Sequence, residues 1–173
     1  MNNNDNNNPF PQRKRQRLED YDYSRAGSYY VTVCTDNREC IFWTGKMTEI
    51  SAGGNIVSIP LAELSESGLI AEQYIKGIYG IDKYVIMPNH IHMIITFTTS
   101  GDHDLRKEMR SFKTLVSKRI GRGIWETGYF DRVIRGHKEY EKYSEYIANN
   151  PINWINDEYN KTRHAERIER AGL

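Results

Sequence analysis

Hydrophobic and polar positions alternate in two different rhythms along the chain. Tyr29-Tyr30-Val31-Thr32-Val33-Cys34-Thr35 is a run of strand-forming residues and predicts a first β-strand. Lys46 to Ile59 predicts a hairpin turning at Ala52-Gly53-Gly54-Asn55. A helix is expected over Leu61 to Gly77, weakened in its middle by Gly68, with a later start at Ser65 or Ser67 as the alternative. Gly80 to Met87 and His90 to Phe97 are apolar, β-branched runs separated by Pro88-Asn89. They form either a hairpin or one bent strand.

The strongest helical signal follows a polar loop at Thr98 to His103. Asp104 is placed to cap it, and Leu105, Met109, Phe112, Val116 and Ile120 recur at helical spacing before Gly121 and Gly123. Ile124 to Arg135 reads as an aromatic connector. A last helix is expected from Lys138 to Asn149, stopped by Asn150-Pro151. Strands and helices interleave with hairpin-type connections, which predicts an α+β sandwich on an antiparallel sheet.

The termini differ in character. Residues 1–24 are Asn-rich, then basic, then mixed Asp/Tyr without periodicity, and are expected to be a disordered tail. Residues 25–155 would be one domain and 156–173 a polar C-terminal tail. A chain of 173 residues suits one core of this kind. No apolar run approaches the about 18 residues of a membrane span, and the N-terminus lacks a signal-peptide pattern, so a soluble cytoplasmic protein is expected. Cys34 and Cys40 then read as reduced thiols.

Net charge is only +1, but the charges are segregated. Arg13, Lys14, Arg15 and Arg17 cluster in the N-terminal tail. Arg106, Lys107, Arg110, Lys113 and Lys118 lie opposite the apolar stripe of the 104–120 helix. Such a face suits phosphate contacts, or is simply a solvated helix surface. Arg135 is a further phosphate-contact candidate, with pairing to Asp131 as the structural alternative. Trp125 and Tyr129 either stack on bases or, the favoured reading, anchor the connector in the core.

The chemistry centres on His90 and His92. Alternate side chains of a strand share a face, so the two imidazoles project together from positions about 7 Å apart. They can converge on one metal ion, or be two histidines packed in a core or at an edge. On the last helix, Tyr140, Tyr143 and Ile147 share a core-facing stripe, whereas Tyr146 lies to one side. Asn150, four residues on, shares nearly the same face as Tyr146. A tyrosine hydroxyl can act as a nucleophile on phosphorus, and a carboxamide can offer an oxygen to a metal.

Pro88-Asn89-His90-Ile91-His92, then Trp125-x3-Tyr129-x-Asp131-x2-Ile134-Arg135, then Tyr146-Ile147-x2-Asn150-Pro151, resembles the single-tyrosine HUH transposases. Among these the pattern is most similar to the REP-associated tyrosine transposases. Each motif is weak alone; their order and spacing over Gly27 to Trp154 are specific. The resemblance implies a ferredoxin-like sandwich whose central antiparallel sheet carries the HUH strand, with the tyrosine helix packed nearby. It implies Mg2+ or Mn2+ held by His90, His92 and Asn150, where imidazole chemistry alone would equally admit zinc. It implies Tyr146 as the nucleophile of a transposase that nicks and rejoins single-stranded DNA, in a hairpin or palindromic repeat, through a 5′-phosphotyrosine. Relatives are monomers or homodimers. Two other readings stay open: a DNA- or RNA-binding regulator of the same fold with its catalysis unused, and a metal-dependent phosphohydrolase acting through water.

Overall fold

The computed structural model describes residues 21–154. Its elements are β1 (Gly27–Cys34), β2 (Met47–Ala52), β3 (Asn55–Pro60), α1 (Glu66–Ile75), β4 (Ile81–Ile86), β5 (His90–Phe97), α2 (Leu105–Ile120), β6 (Phe130–Ile134) and α3 (His137–Asn153). Four strands form one antiparallel sheet in the order β4-β5-β1-β6, and β2 pairs only with β3 as a separate ribbon. Leaving that ribbon aside, the order β-α-β-β-α-β with β1 and β5 central is the ferredoxin-like sandwich expected from sequence.

Strand alternation sorts the core onto two faces. Tyr29, Val31 and Val33 of β1 and Ile91, Met93 and Ile95 of β5 meet Ala71 and Ile75 of α1 and Leu105, Met109, Phe112 and Val116 of α2. Burying each of these larger apolar side chains stabilises by about 2 kcal/mol. Tyr30, Ile94 and Ile134 point to the other face, where Ile147 of α3 covers them with Tyr140 and Tyr143 alongside. The histidines share the parity of Ile94, so they belong to the α3 face.

Local chemistry explains the helix ends. The Asp104 carboxylate accepts from the backbone N–H groups of Arg106 and Lys107, and Gly121 closes α2 at φ 89°. Ser65 caps α1, so the later of the expected starts is correct. The strands flanking Pro88-Asn89 form a hairpin, β4 against β5, rather than one bent strand.

Three expectations need correction. Residues 130–134 are a strand pairing with the free edge of β1, not only connector; their five residues alternate too briefly to be recognised alone. The last helix does not stop at Asn150-Pro151 but runs to Asn153 with Pro151 inside it. Proline there forfeits one hydrogen bond near the helix end. Against that loss, Trp154 docks into the core, its ring 6.3 Å from that of Trp43. Finally, Tyr21 and Tyr23, placed in the N-terminal tail by sequence, pack on the core; Tyr23 is buried, 5.1 Å from Tyr21 and 6.1 Å from Tyr29 between ring centroids. Both cysteines are free thiols.

Candidate active site

The antiparallel register of β1 and β5 builds the histidine environment. Thr32 lies directly across from His92, and Tyr30 is diagonal to it on the same face. The hydroxyls of Tyr30 and Thr32 both reach His92 Nδ1, at 2.7 and 2.8 Å. Its other nitrogen, Nε2, is buried and has no hydrogen-bond partner among the described residues. An unpartnered buried nitrogen costs on the order of 1–3 kcal/mol, so this atom stands out in the core.

His90 is anchored differently. Its Nδ1 donates to Asn89 Oδ1 at 2.7 Å, and its ring lies edge-on to His92 with centroids 4.6 Å apart. Burial lowers the His90 pKa to about 4, with the Arg38 charge adding to the effect. Burial, then His90, then Arg38 push His92 well below the usual histidine range. Both rings are therefore neutral at neutral pH, the state in which imidazole is a ligand.

Helix α3 lies across this pair. Tyr146, Asn150 and Trp154 recur every four residues and form one stripe. Tyr146 packs edge-on to His92, with centroids 5.1 Å apart, and Trp154 lies 6.2 Å from His90. Asn150, between them on that stripe, is buried at 5% exposure. Its Nδ2 sits 3.5 Å from the Tyr146 carbonyl, at the outer limit of a hydrogen bond. The structure thus brings His90, His92 and Tyr146 together, with Asn150 buried one helical turn beyond Tyr146 on α3.

The three tyrosines of α3 separate as expected. Tyr140 donates to Asp82 Oδ2, and Tyr143 stacks on Tyr30 at 4.2 Å. Of the three only Tyr146 is exposed, at 47%; it lines a cavity of about 450 Å³ together with Tyr30, Tyr143, Lys142, Glu145 and Asn149.

No family model matches the chain. An uncharacterised protein of Haemophilus influenzae is 29% identical over 177 residues, covering 84% of this chain and 92% of that protein. The REP-associated tyrosine transposase of Escherichia coli K12 is 30% identical over 80 residues, 44% of this chain and 48% of that protein. A putative REP-associated tyrosine transposase of H. influenzae is 23% identical over 145 residues, covering 76% and 73%. Over these spans the chain is similar to REP-associated tyrosine transposases. A solved REP-associated tyrosine transposase bound to a REP hairpin shares its fold, with a TM-score of 0.59 at 22% identity over 79% of this chain and 73% of that one.

The DNA-contact candidates are not gathered at the histidines. Helix α2 covers the opposite face of the sheet from α3, so Arg106, Lys107, Arg110, Lys113 and Lys118 lie across the sheet from Tyr146. Arg106 is paired with Asp104, and Lys113 donates to the carbonyls of Glu126 and Gly128, which fixes the connector. Arg110 carries no ion pair among the described residues and opens on a cavity of about 360 Å³ beside Tyr129. Arg135 directly follows β6, its backbone N–H donating to Glu139, which also holds Arg132. Trp125 anchors the connector, donating to the Lys113 carbonyl and packing against Phe42 and Phe112. Arg13, Lys14, Arg15 and Arg17 lie outside the described residues.

Sequence reasoning missed the residues that support the histidines: Tyr30, Thr32, Asn89, Arg38 and Trp154. Tyr30 and Thr32 were accessible in principle, because pairing β1 with β5 puts alternate residues of both on one face. Arg38 was not; it arrives through a turn in which Asn37 and Arg38 both have positive φ.

Proposed function

We propose that the chain is a metal-dependent DNA transposase that cleaves and rejoins single-stranded, hairpin-containing DNA through Tyr146. The observation that carries the reading is the exposed Tyr146 ring set against His92, whose Nε2 is buried without a partner among the described residues. The relationship to transposases, one of them solved with a REP hairpin, supplies the substrate class.

The donor set fits a divalent cation. His92 Nε2 has no partner among the described residues, and Asn89 occupies His90 Nδ1, which leaves the His90 Nε2 lone pair for ligation; His92 offers its own in the tautomer protonated at Nδ1. Asn150 adds a hard carbonyl oxygen, consistent with Mg2+ or Mn2+. When bound, the cation would withdraw charge from the scissile phosphate. No group of three or more His, Cys, Asp or Glu side chains suited to a metal occurs among the described residues, which a two-histidine-plus-carboxamide set does not require.

The remaining work falls to the chain. Tyr146 Oη attacks phosphorus, the Oη–P bond forms and the P–O3′ bond breaks. The tyrosine proton leaves to solvent or a base, and the 3′-oxygen departs as a hydroxyl after taking up a proton. The strand is then held as a 5′-phosphotyrosine. Because the phosphodiester is conserved as a phosphoester, an incoming 3′-hydroxyl can reverse the step and join new ends. Arg110, Lys107 and Lys118 on α2, with Arg135, would contact the DNA backbone away from the cut.

The test is incubation of the protein with labelled single-stranded hairpin DNA and Mn2+. Cleavage with an SDS-resistant protein–DNA adduct supports the proposal. Cleavage without adduct points to hydrolysis by water, and binding without cleavage to a regulator.

A further inference from the structure

We propose that Asn89 is a positioning residue that fixes the tautomer of His90. The proposal concerns the chain itself, and its bearing on metal binding rests on the function proposed above.

Asn89 is fully buried and its backbone is pinned, since its carbonyl accepts from both the N–H and the hydroxyl of Thr35, each at 2.9 Å. Its Nδ2 donates to the Arg38 carbonyl at 3.3 Å. That contact sets which end of the carboxamide faces which way, leaving Oδ1 toward His90. A carboxamide oxygen only accepts, so the His90 Nδ1 at 2.7 Å must carry the proton. A neutral imidazole holds one proton, and Nε2 is left with its lone pair. His92 lacks such a rule: its Nδ1 faces two hydroxyls, each able to donate or accept. Asn89 thus removes one of the two tautomers of His90 before any ligand arrives, and does so from the adjacent position in the chain.

Two substitutions separate this role from a purely structural one. Asn89→Asp keeps the acceptor toward His90 but loses the donor toward Arg38, whereas Asn89→Leu loses both. The readout is a long-range proton–nitrogen spectrum of the metal-free, 15N-labelled full chain, in which the tautomer is assigned from the two ring nitrogens. The wild type and Asn89→Asp are expected to show His90 protonated at Nδ1, and Asn89→Leu a mixture. Mn2+ affinity, measured by calorimetry, should fall about 10- to 100-fold in Asn89→Leu, and Asn89→Asp should match or exceed the wild type. A wild-type His90 protonated at Nε2, or an Asn89→Leu spectrum identical to wild type, overturns the proposal. A correct tautomer in a wild type that binds no Mn2+ upholds the positioning role and removes the metal from the proposed function. If the Arg38 contact were the point, Asn89→Asp would fail along with Asn89→Leu.

Discussion

The Tyr146 ring stands edge-on to the His92 ring, 5.1 Å away and at 70°, across the gap between α3 and β5. This contact joins two sequence segments that carry different chemistry, an imidazole pair on a strand and a hydroxyl on a helix. It exists because β5 is central in the sheet and α3 is the element covering its histidine face. The neighbouring tyrosines are consumed by packing, which leaves Tyr146 as the hydroxyl presented to solvent beside the imidazoles.

That division of labour predicts opposite responses from two adjacent tyrosines. Tyr143→Ala should destabilise the protein by about 3 kcal/mol, since it removes a ring stacked at 4.2 Å on Tyr30. Tyr146→Phe should change stability by less than about 0.5 kcal/mol, because the side chain is half exposed. Urea denaturation of the two variants checks both values.

The buried histidines make metal-free stability depend on pH. His90 has its pKa lowered from 6.5 to about 4, so between these values the unfolded chain binds a proton that the folded chain refuses. Stability must therefore fall as pH drops through about 6.5 toward 4. At about 1.4 kcal/mol per unit, His90 alone costs about 2 kcal/mol by about pH 5. Denaturant midpoints should drop over this range, and His90→Gln should flatten the fall.

Much of this arrangement was legible in the sequence. Period-two and period-3.6 patterns located the strands, the hairpin and α2, because each buries one face against a single core. The histidine pair and the Tyr146/Asn150 pair were visible because each lies within one element. What stayed hidden depends on contacts between elements. β6 is a short strand defined by pairing with β1, and α3 passes Pro151 because Trp154 finds a site on Trp43. The basic face of α2 read as a unit, yet Lys113 is committed to two backbone carbonyls that no local pattern foretells.

Gly68, which weakens α1 by propensity, is required by packing. A Cβ at this position would run into the backbone carbonyl of Phe42. Gly68→Ala, which normally strengthens a helix by about 1 kcal/mol, should here destabilise by about 1–3 kcal/mol. Thermal unfolding decides between the two signs.

Among the α2 cations, Arg110 and Lys113 should behave differently. Arg110→Ala should leave the fold intact and lower the log–log salt slope of hairpin-DNA binding by about 1. Lys113→Met should instead lower the unfolding midpoint, because it releases the Glu126 and Gly128 carbonyls. Affinity measured at several salt concentrations, alongside denaturation, separates the roles.

The central claim is that Tyr146 becomes joined to DNA. The most direct measurement is mass spectrometry of the adduct formed with single-stranded hairpin DNA and Mn2+, after proteolysis and nuclease trimming. The account predicts a phosphonucleotide on the peptide containing Tyr146, absent in Tyr146→Phe and retained in Tyr143→Phe. An adduct on another residue, or one that persists in Tyr146→Phe, would contradict it.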